Sequence, residues 1–141
     1  MVQPHMPDGL PHTVTEGFDG LLGLRLIEVD DDLARGELAV RDELKQPYGL
    51  VHGGVFAAIA EGLASLATAL TVARDGRQAM GQANQTSFLR PITAGTIHGI
   101  ARARHRGRSS WVWDVEITDD AGRLCAITRM TIAVRDATPP A

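Results

Sequence analysis

Two hydrophobic periodicities divide this chain. From residue 53 to about residue 73 apolar and small side chains recur at helical spacing, and from Gly76 onward the pattern alternates with period two. The first stretch predicts a helix from Gly53 or Gly54 to about Ala73, some 30 Å long at about 1.5 Å per residue. Arg74-Asp75-Gly76 would end it, with Gly76 as the C-terminal cap. Val55, Ile59, Leu63, Leu66 and Leu70 fall close to one face. Gly54, Ala58, Glu61, Ser65 and Thr68 form a second stripe of small and polar residues, open to a ligand or another chain.

Strand signals flank this helix. Residues 18–26 (FDGLLGLRL) read as a short helical turn or loop leading into a strand. Arg25–Val29 and Ala34–Val40 alternate on either side of Asp30-Asp31-Asp32, which predicts an antiparallel hairpin. Beyond the helix, Gln78–Leu89, Thr96–Arg106, Ser110–Thr118 and Leu124–Val134 are four strand candidates separated by turn residues. Two strands, one long helix and four more strands predict an α+β domain, a curved antiparallel sheet wrapped on a central helix. It should occupy residues 16–136. Residues 1–15, with three of the seven prolines, read as a flexible arm, and residues 137–141 as a short tail.

Composition narrows the function classes. At 141 residues and a formal net charge of -3, the chain can bury one real core and has no bulk positive charge for nucleic acid. The run Ala101–Arg106 holds three arginines, but its alternation puts them on one solvated strand face. A single cysteine, Cys125, excludes an intramolecular disulfide framework and reads as core. The N-terminus has no apolar run of a signal peptide. Residues 55–73 are apolar enough to suggest a membrane span, yet Glu61 at the centre would cost about 2.5–3.5 kcal/mol there. A buried helix in a cytoplasmic protein is the expectation, with no membrane partner.

Glu61 is also where the chemistry points. A helical glutamate is ordinarily a solvated surface residue, but Ala57, Ala58, Ala60, Gly62, Ala64 and Ser65 make this face poor in charge. A carboxylate there is costly unless something pairs with it or uses it. Ser65, one turn later, can hydrogen-bond it or a water. The preceding His52-Gly53-Gly54 lets a carbonyl approach the backbone at the positive end of the helix dipole. The five histidines have no paired ligand spacing and there is no HExxH or CxxC, so no metal is expected. The GxSxG serine signature is missing. Trp111 and Trp113 share a strand face, as packing or as a wall of an acyl pocket.

The segment Gln46…His52-Gly53-Gly54…Glu61…Ser65, followed by a long antiparallel sheet, resembles the hotdog-fold acyl-CoA thioesterases. NQTSFLRP (84–91) and SSWVWDVEITDDAGRLCAITRMTIAVR (109–135) extend the likeness over roughly residues 35–135, toward the branch typified by the Arthrobacter 4-hydroxybenzoyl-CoA thioesterase. The resemblance implies hydrolysis of an aromatic acyl-CoA without a metal or organic cofactor. Dihydroxynaphthoyl, phenylacetyl-type or medium-chain acyl groups, or a non-catalytic acyl-CoA-binding module, are the alternatives. It implies Glu61 as nucleophile or general base, the Gly53 N–H as oxyanion donor, Gln46 orienting carbonyl or water, and His52 positioning the loop or assisting at the thioester. Arg90, Arg108 and Ser109 would contact CoA phosphates. Ser65 stands where the closest relatives have threonine. Gln46 and His52 would come from one subunit and Glu61 from another, in a homodimer at least and a homotetramer as the family expectation.

Overall fold

The computed structural model describes residues 16–137, so the expected arm over 1–15 and all but the first residue of the tail lie outside the described residues. A short helix α1 (Gly17–Leu22) precedes the hairpin β1 (Arg25–Val29) and β2 (Leu33–Ala39). One 3-10 turn (Asp42–Leu44) and a loop lead into the long helix α2 (Gly53–Ala73). Four strands complete the chain: β3 (Arg77–Phe88), β4 (Thr96–Arg106), β5 (Ser110–Thr118) and β6 (Leu124–Asp136). They form one six-stranded antiparallel sheet in the order β1-β2-β4-β5-β6-β3. This is the expected α+β arrangement. β6 outlasts its predicted end by two residues, because Arg77 opens β3 opposite Asp136 and pairs with it at 3.3 Å.

Helix α2 lies on the inner face of the sheet, with Val55, Ile59 and Leu63 buried as the spacing predicts and Leu66 and Leu70 packed at the margin. Gly36 and Gly99 face each other across β2 and β4, and Leu63 seats against both. A Cβ at either glycine would stand 2.9 Å from a Leu63 methyl, so the pair sets how near the helix comes to the sheet. The helix ends as expected: Gly76 takes φ +69° and its N–H donates to the Ala73 carbonyl at 3.0 Å. Its length and apolarity would suit a membrane span, but half of its most apolar stretch is buried within the protein.

Two expectations change. Thr68 does not belong to the open stripe; it is fully buried, donating to the Ala64 carbonyl and accepting the Trp113 indole N–H at 2.9 Å. Angular position along the helix is shared with Glu61, but Trp113 covers that side two turns further on. Trp111 and Trp113 do share a face, both buried and stacked at 6.1 Å between centroids. The arginines of β4 do not share one. The register shifts between Ala103 and His105, which puts Arg106 on the face of Trp111, over whose ring it sits at 4.8 Å while staying exposed. Cys125 is core, its Sγ donating to the Arg123 carbonyl and its pKa pushed up by burial.

Among the described residues strand β3, 12 residues long, pairs with β6 alone, and no strand lies along its other edge. The Thr68→Val variant should lose about 1–3 kcal/mol of unfolding free energy, the cost of leaving the buried indole N–H of Trp113 unpaired. Urea denaturation followed by tryptophan fluorescence measures it, and an unchanged midpoint would refute the account.

Candidate active site

Glu61 stands on the exposed side of α2, where the facing strand supplies Gly81; a Cβ at Gly81 would lie 3.6 Å from the Glu61 carboxyl carbon. Among the described residues Glu61 takes part in no ion pair. It opens into a groove of about 540 Å³ whose floor is Ala57, Ala58, Gly62 and Ser65 and whose walls are Phe18, Asp19 and Asn84. Small side chains on this helix face are what make the groove. The structure thus brings Ser65 and Glu61 to one hollow, as their spacing predicts.

Asp19 was not signalled by the motifs, although it is a carboxylate inside an apolar run, the feature that singled out Glu61. Helix α1 lays it on Gly62, where a Cβ would come within 3.0 Å of Oδ1. Its pKa is raised, first by burial and then by the charge of Glu61. The helix is held there from below. The Arg41 guanidinium donates to the carbonyls of Leu21 and Leu22, the exposed C-terminal acceptors of α1. Gly23, in the left-handed region at φ +86°, closes that end.

Of the other predicted residues, His52 and Gly53 stand at the start of α2 and Gln46 in the loop before it. His52 caps the helix: its Nδ1 accepts the Gly54 N–H at 2.8 Å, which leaves the proton of a neutral ring on Nε2. Among the described residues no acceptor takes the Gly53 N–H, at the positive end of the helix dipole. The Phe88 ring covers the Gly53 Cα so closely that a Cβ would lie 2.8 Å from it, while remaining 57% exposed on its other side. Gln46 opens a tight turn through Gly49 (φ +87°), and its side-chain carbonyl accepts the Tyr48 N–H, leaving its amide N–H groups to point elsewhere. His52 borders a second, more apolar hollow of about 730 Å³ beyond α1, with Phe18, Leu21 and Val55.

These two groups do not meet within one chain. Gly53 and Glu61 are eight residues apart on a helix, about 12 Å. A similar gap separates the proposed CoA contacts. Arg90 follows the end of β3, where its N–H donates to the Cys125 carbonyl at 3.1 Å. Arg108 and Ser109 turn between β4 and β5 beside the start of β3, so the length of that strand, up to about 36 Å, lies between them. Two arginines that the motifs did not signal join the latter end. Arg77 donates to the Arg108 carbonyl at 2.6 Å and Arg135 to the Ser109 carbonyl at 2.8 Å, around a hollow of about 500 Å³.

The six-stranded sheet clasping one long helix, with a carboxylate on the helix and a glycine pair at its start, defines a hotdog-fold hydrolase. The chain belongs to the Thioesterase superfamily, whose profile matches residues 48–126, and it is an enzyme that hydrolyses thioesters. It is 39% identical over 140 residues to Rv1847 of Mycobacterium tuberculosis (strain H37Rv), a protein named as an esterase, covering 98% of this chain and 100% of that one. The solved structure of that protein superposes with a TM-score of 0.82 at 40% identity, over 86% of this chain and 98% of that one. The proofreading thioesterase EntH of Cronobacter turicensis is 38% identical over 113 residues, 80% of this chain and 82% of its own. Thioesterase HI1161 of Haemophilus influenzae superposes with a TM-score of 0.77 at 30% identity, covering 82% and 80% of the two chains.

The raised pKa of Asp19 carries a sign. A carboxyl that holds its proton more tightly when folded adds stability at low pH, and that contribution is lost as pH rises through the folded pKa. Above it, an ionised Asp19 faces Glu61. Asp19→Asn should therefore gain stability over the parent at pH 7, and the gain should shrink toward pH 4. Thermal melts across that range check this; a gain that grows on acidification would refute it.

Proposed function

We propose that the chain hydrolyses an aromatic acyl-CoA of the 4-hydroxybenzoyl-CoA type to the free acid and CoA. The observation that carries this reading is Glu61, a carboxylate without an ion-pair partner among the described residues, in a groove of about 540 Å³ floored by alanine methyls and walled in part by Phe18. A thioester carbonyl bound with its oxygen at the Gly53 N–H develops negative charge on that oxygen, facing a donor that has no acceptor among the described residues. Glu61 then attacks the carbonyl carbon directly, forming a mixed anhydride that water hydrolyses to the free acid and the restored carboxylate, or removes a proton from the attacking water; CoA thiolate leaves in either case. Ser65, one turn along, is placed to hold that water. No step calls for a metal or an organic cofactor.

The distance from Gly53 to Glu61 requires a second chain, so that the Gly53 of one copy serves the Glu61 of the other. The open edge of β3 offers the means, since pairing two such edges would run the sheet through both copies. A homodimer is the minimum, and a homotetramer the fuller assembly, in the cytoplasm. Antiparallel edges would also bring Arg90 of one copy toward Arg77, Arg108, Ser109 and Arg135 of its partner, giving the CoA phosphates a basic seat. A second reading keeps the reaction and changes its use: likeness to a protein named as a proofreading thioesterase supports a hydrolase that clears wrongly loaded thioesters.

Thiol release from a panel of acyl-CoAs tests the proposal. Aromatic substrates should lead, and Glu61→Ala and Glu61→Gln should each lose several hundredfold or more in kcat/KM (~4 kcal/mol). Activity surviving both substitutions would sink the mechanism. Tight binding of acyl-CoA without turnover would leave a binding module instead. Arg108→Ala should raise KM a few-fold for CoA thioesters, on the order of 0.2–1 kcal/mol for an exposed ionic contact. It should leave N-acetylcysteamine thioesters of the same acyl group untouched, and an equal effect on both would remove Arg108 from the phosphate site.

A further inference from the structure

The register shift in β3 alters which side chain meets α2 at the turn that bears Glu61. Gly81 pairs with Ile132, but Ala83 pairs with Thr131 and Asn84 with Met130. Strict alternation from Gly81 would send Ala83 to the helix and Asn84 to the outer face. The extra residue, Gln82, reverses the phase and turns Asn84 inward. There its Nδ2 donates to the Ala57 carbonyl at 3.0 Å. In an α-helix that carbonyl also receives the N–H of the residue four places on, which is Glu61. Asn84 therefore grips the peptide to which the backbone of Glu61 is itself hydrogen-bonded.

The other end of the amide is fixed as well. Its Oδ1 accepts the Thr86 hydroxyl at 2.7 Å, and the Thr86 and Thr128 hydroxyls lie 2.8 Å apart. Thr86 has one hydroxyl proton and spends it on Asn84, so Thr128 donates to Thr86. Thr128 is fully buried in β6. This relay leaves the Asn84 amide one orientation, with its NH2 toward the helix. Side-chain packing has little to offer here, because β3 places Gly81 beside Glu61 and the helix presents alanines, Gly62 and Ser65.

The geometry points to Asn84 as a positioning residue for Glu61. Through the Ala57 carbonyl it sets the height of this helical turn over β3, and so the aim of the carboxylate into the groove, while Thr86 and Thr128 set Asn84. The inference rests on the reading of Glu61 given above.

Steady-state kinetics of the full chain with a turned-over acyl-CoA, for Asn84→Ala, Thr86→Val and the double variant, with Glu61→Gln alongside, test it. Asn84→Ala should lower kcat about tenfold, the effect of about 1.4 kcal/mol at the barrier, with KM within twofold. Thr86→Val, which leaves the amide in place but frees it to turn, should lower kcat less. The double variant should lose no more than Asn84→Ala alone, since both changes break one relay. Thermal melts separate this from a general loss of stability, which would not single out kcat or abolish additivity. Full kcat in Asn84→Ala, or losses that multiply in the double variant, would overturn the positioning role while Glu61→Gln remained inactive. An active Glu61→Gln would instead overturn the catalytic reading, and the role of Asn84 with it. Should Asn84→Ala fail to fold, an unchanged kcat in Thr86→Val still overturns the relay.

Discussion

The distance between helix and sheet is the constraint on which the rest depends. Two glycines on neighbouring strands leave a notch, and Leu63 of α2 fills it with both methyls. Close approach on this side fixes the helix in height and rotation, and it places Glu61, two residues earlier, at the open margin of the sheet rather than beneath it. A methyl group at Gly36 or Gly99 would act on the groove from the far side of the helix, since side chains in a close-packed interior transmit small displacements.

The groove itself is made by omission. Alanines, Gly62 and Ser65 on the helix and Gly81 on β3 leave space around one carboxylate, and α1 closes the space with Phe18 and Asp19. At the other end of the first two turns of α2, among the described residues, the Gly53 N–H has no acceptor. Glu61 and the Gly53 N–H are thus held by one rigid element at a separation fixed by helical rise.

Much of this was legible in the sequence because periodicity reports burial directly. The helix, its Gly76 stop and the extents of β4 and β5 follow from spacing alone. The glycine pair after His52 marked the helix start, and the charge-poor helix face around Glu61 marked the groove. What escaped has identifiable causes. Register shifts in β3 and β4 break the period-two rule at single residues, so Asn84 turns inward and Arg106 moves off the face assigned to it. Thr68 lies on the same angular stripe as Glu61, but the position of Trp113 is a tertiary fact that spacing does not contain. Asp19 is separated from Glu61 by two whole strands, a 3-10 turn, a loop and the start of α2; only the fold makes them neighbours.

The fastening of α1 has a meaning beyond its mechanics. Arg41 holds the helix by two backbone carbonyls, which are the same whatever side chains Leu21 and Leu22 carry. The wall of the groove is therefore attached by a device blind to the identities of the residues that form it. Phe18 and Asp19 can be exchanged without disturbing the bracket, and the buried core lies on the other side of α2. In an evolutionary lineage, the lining of this groove is free to drift by single substitutions in the short helix while its attachment and the scaffold stay fixed.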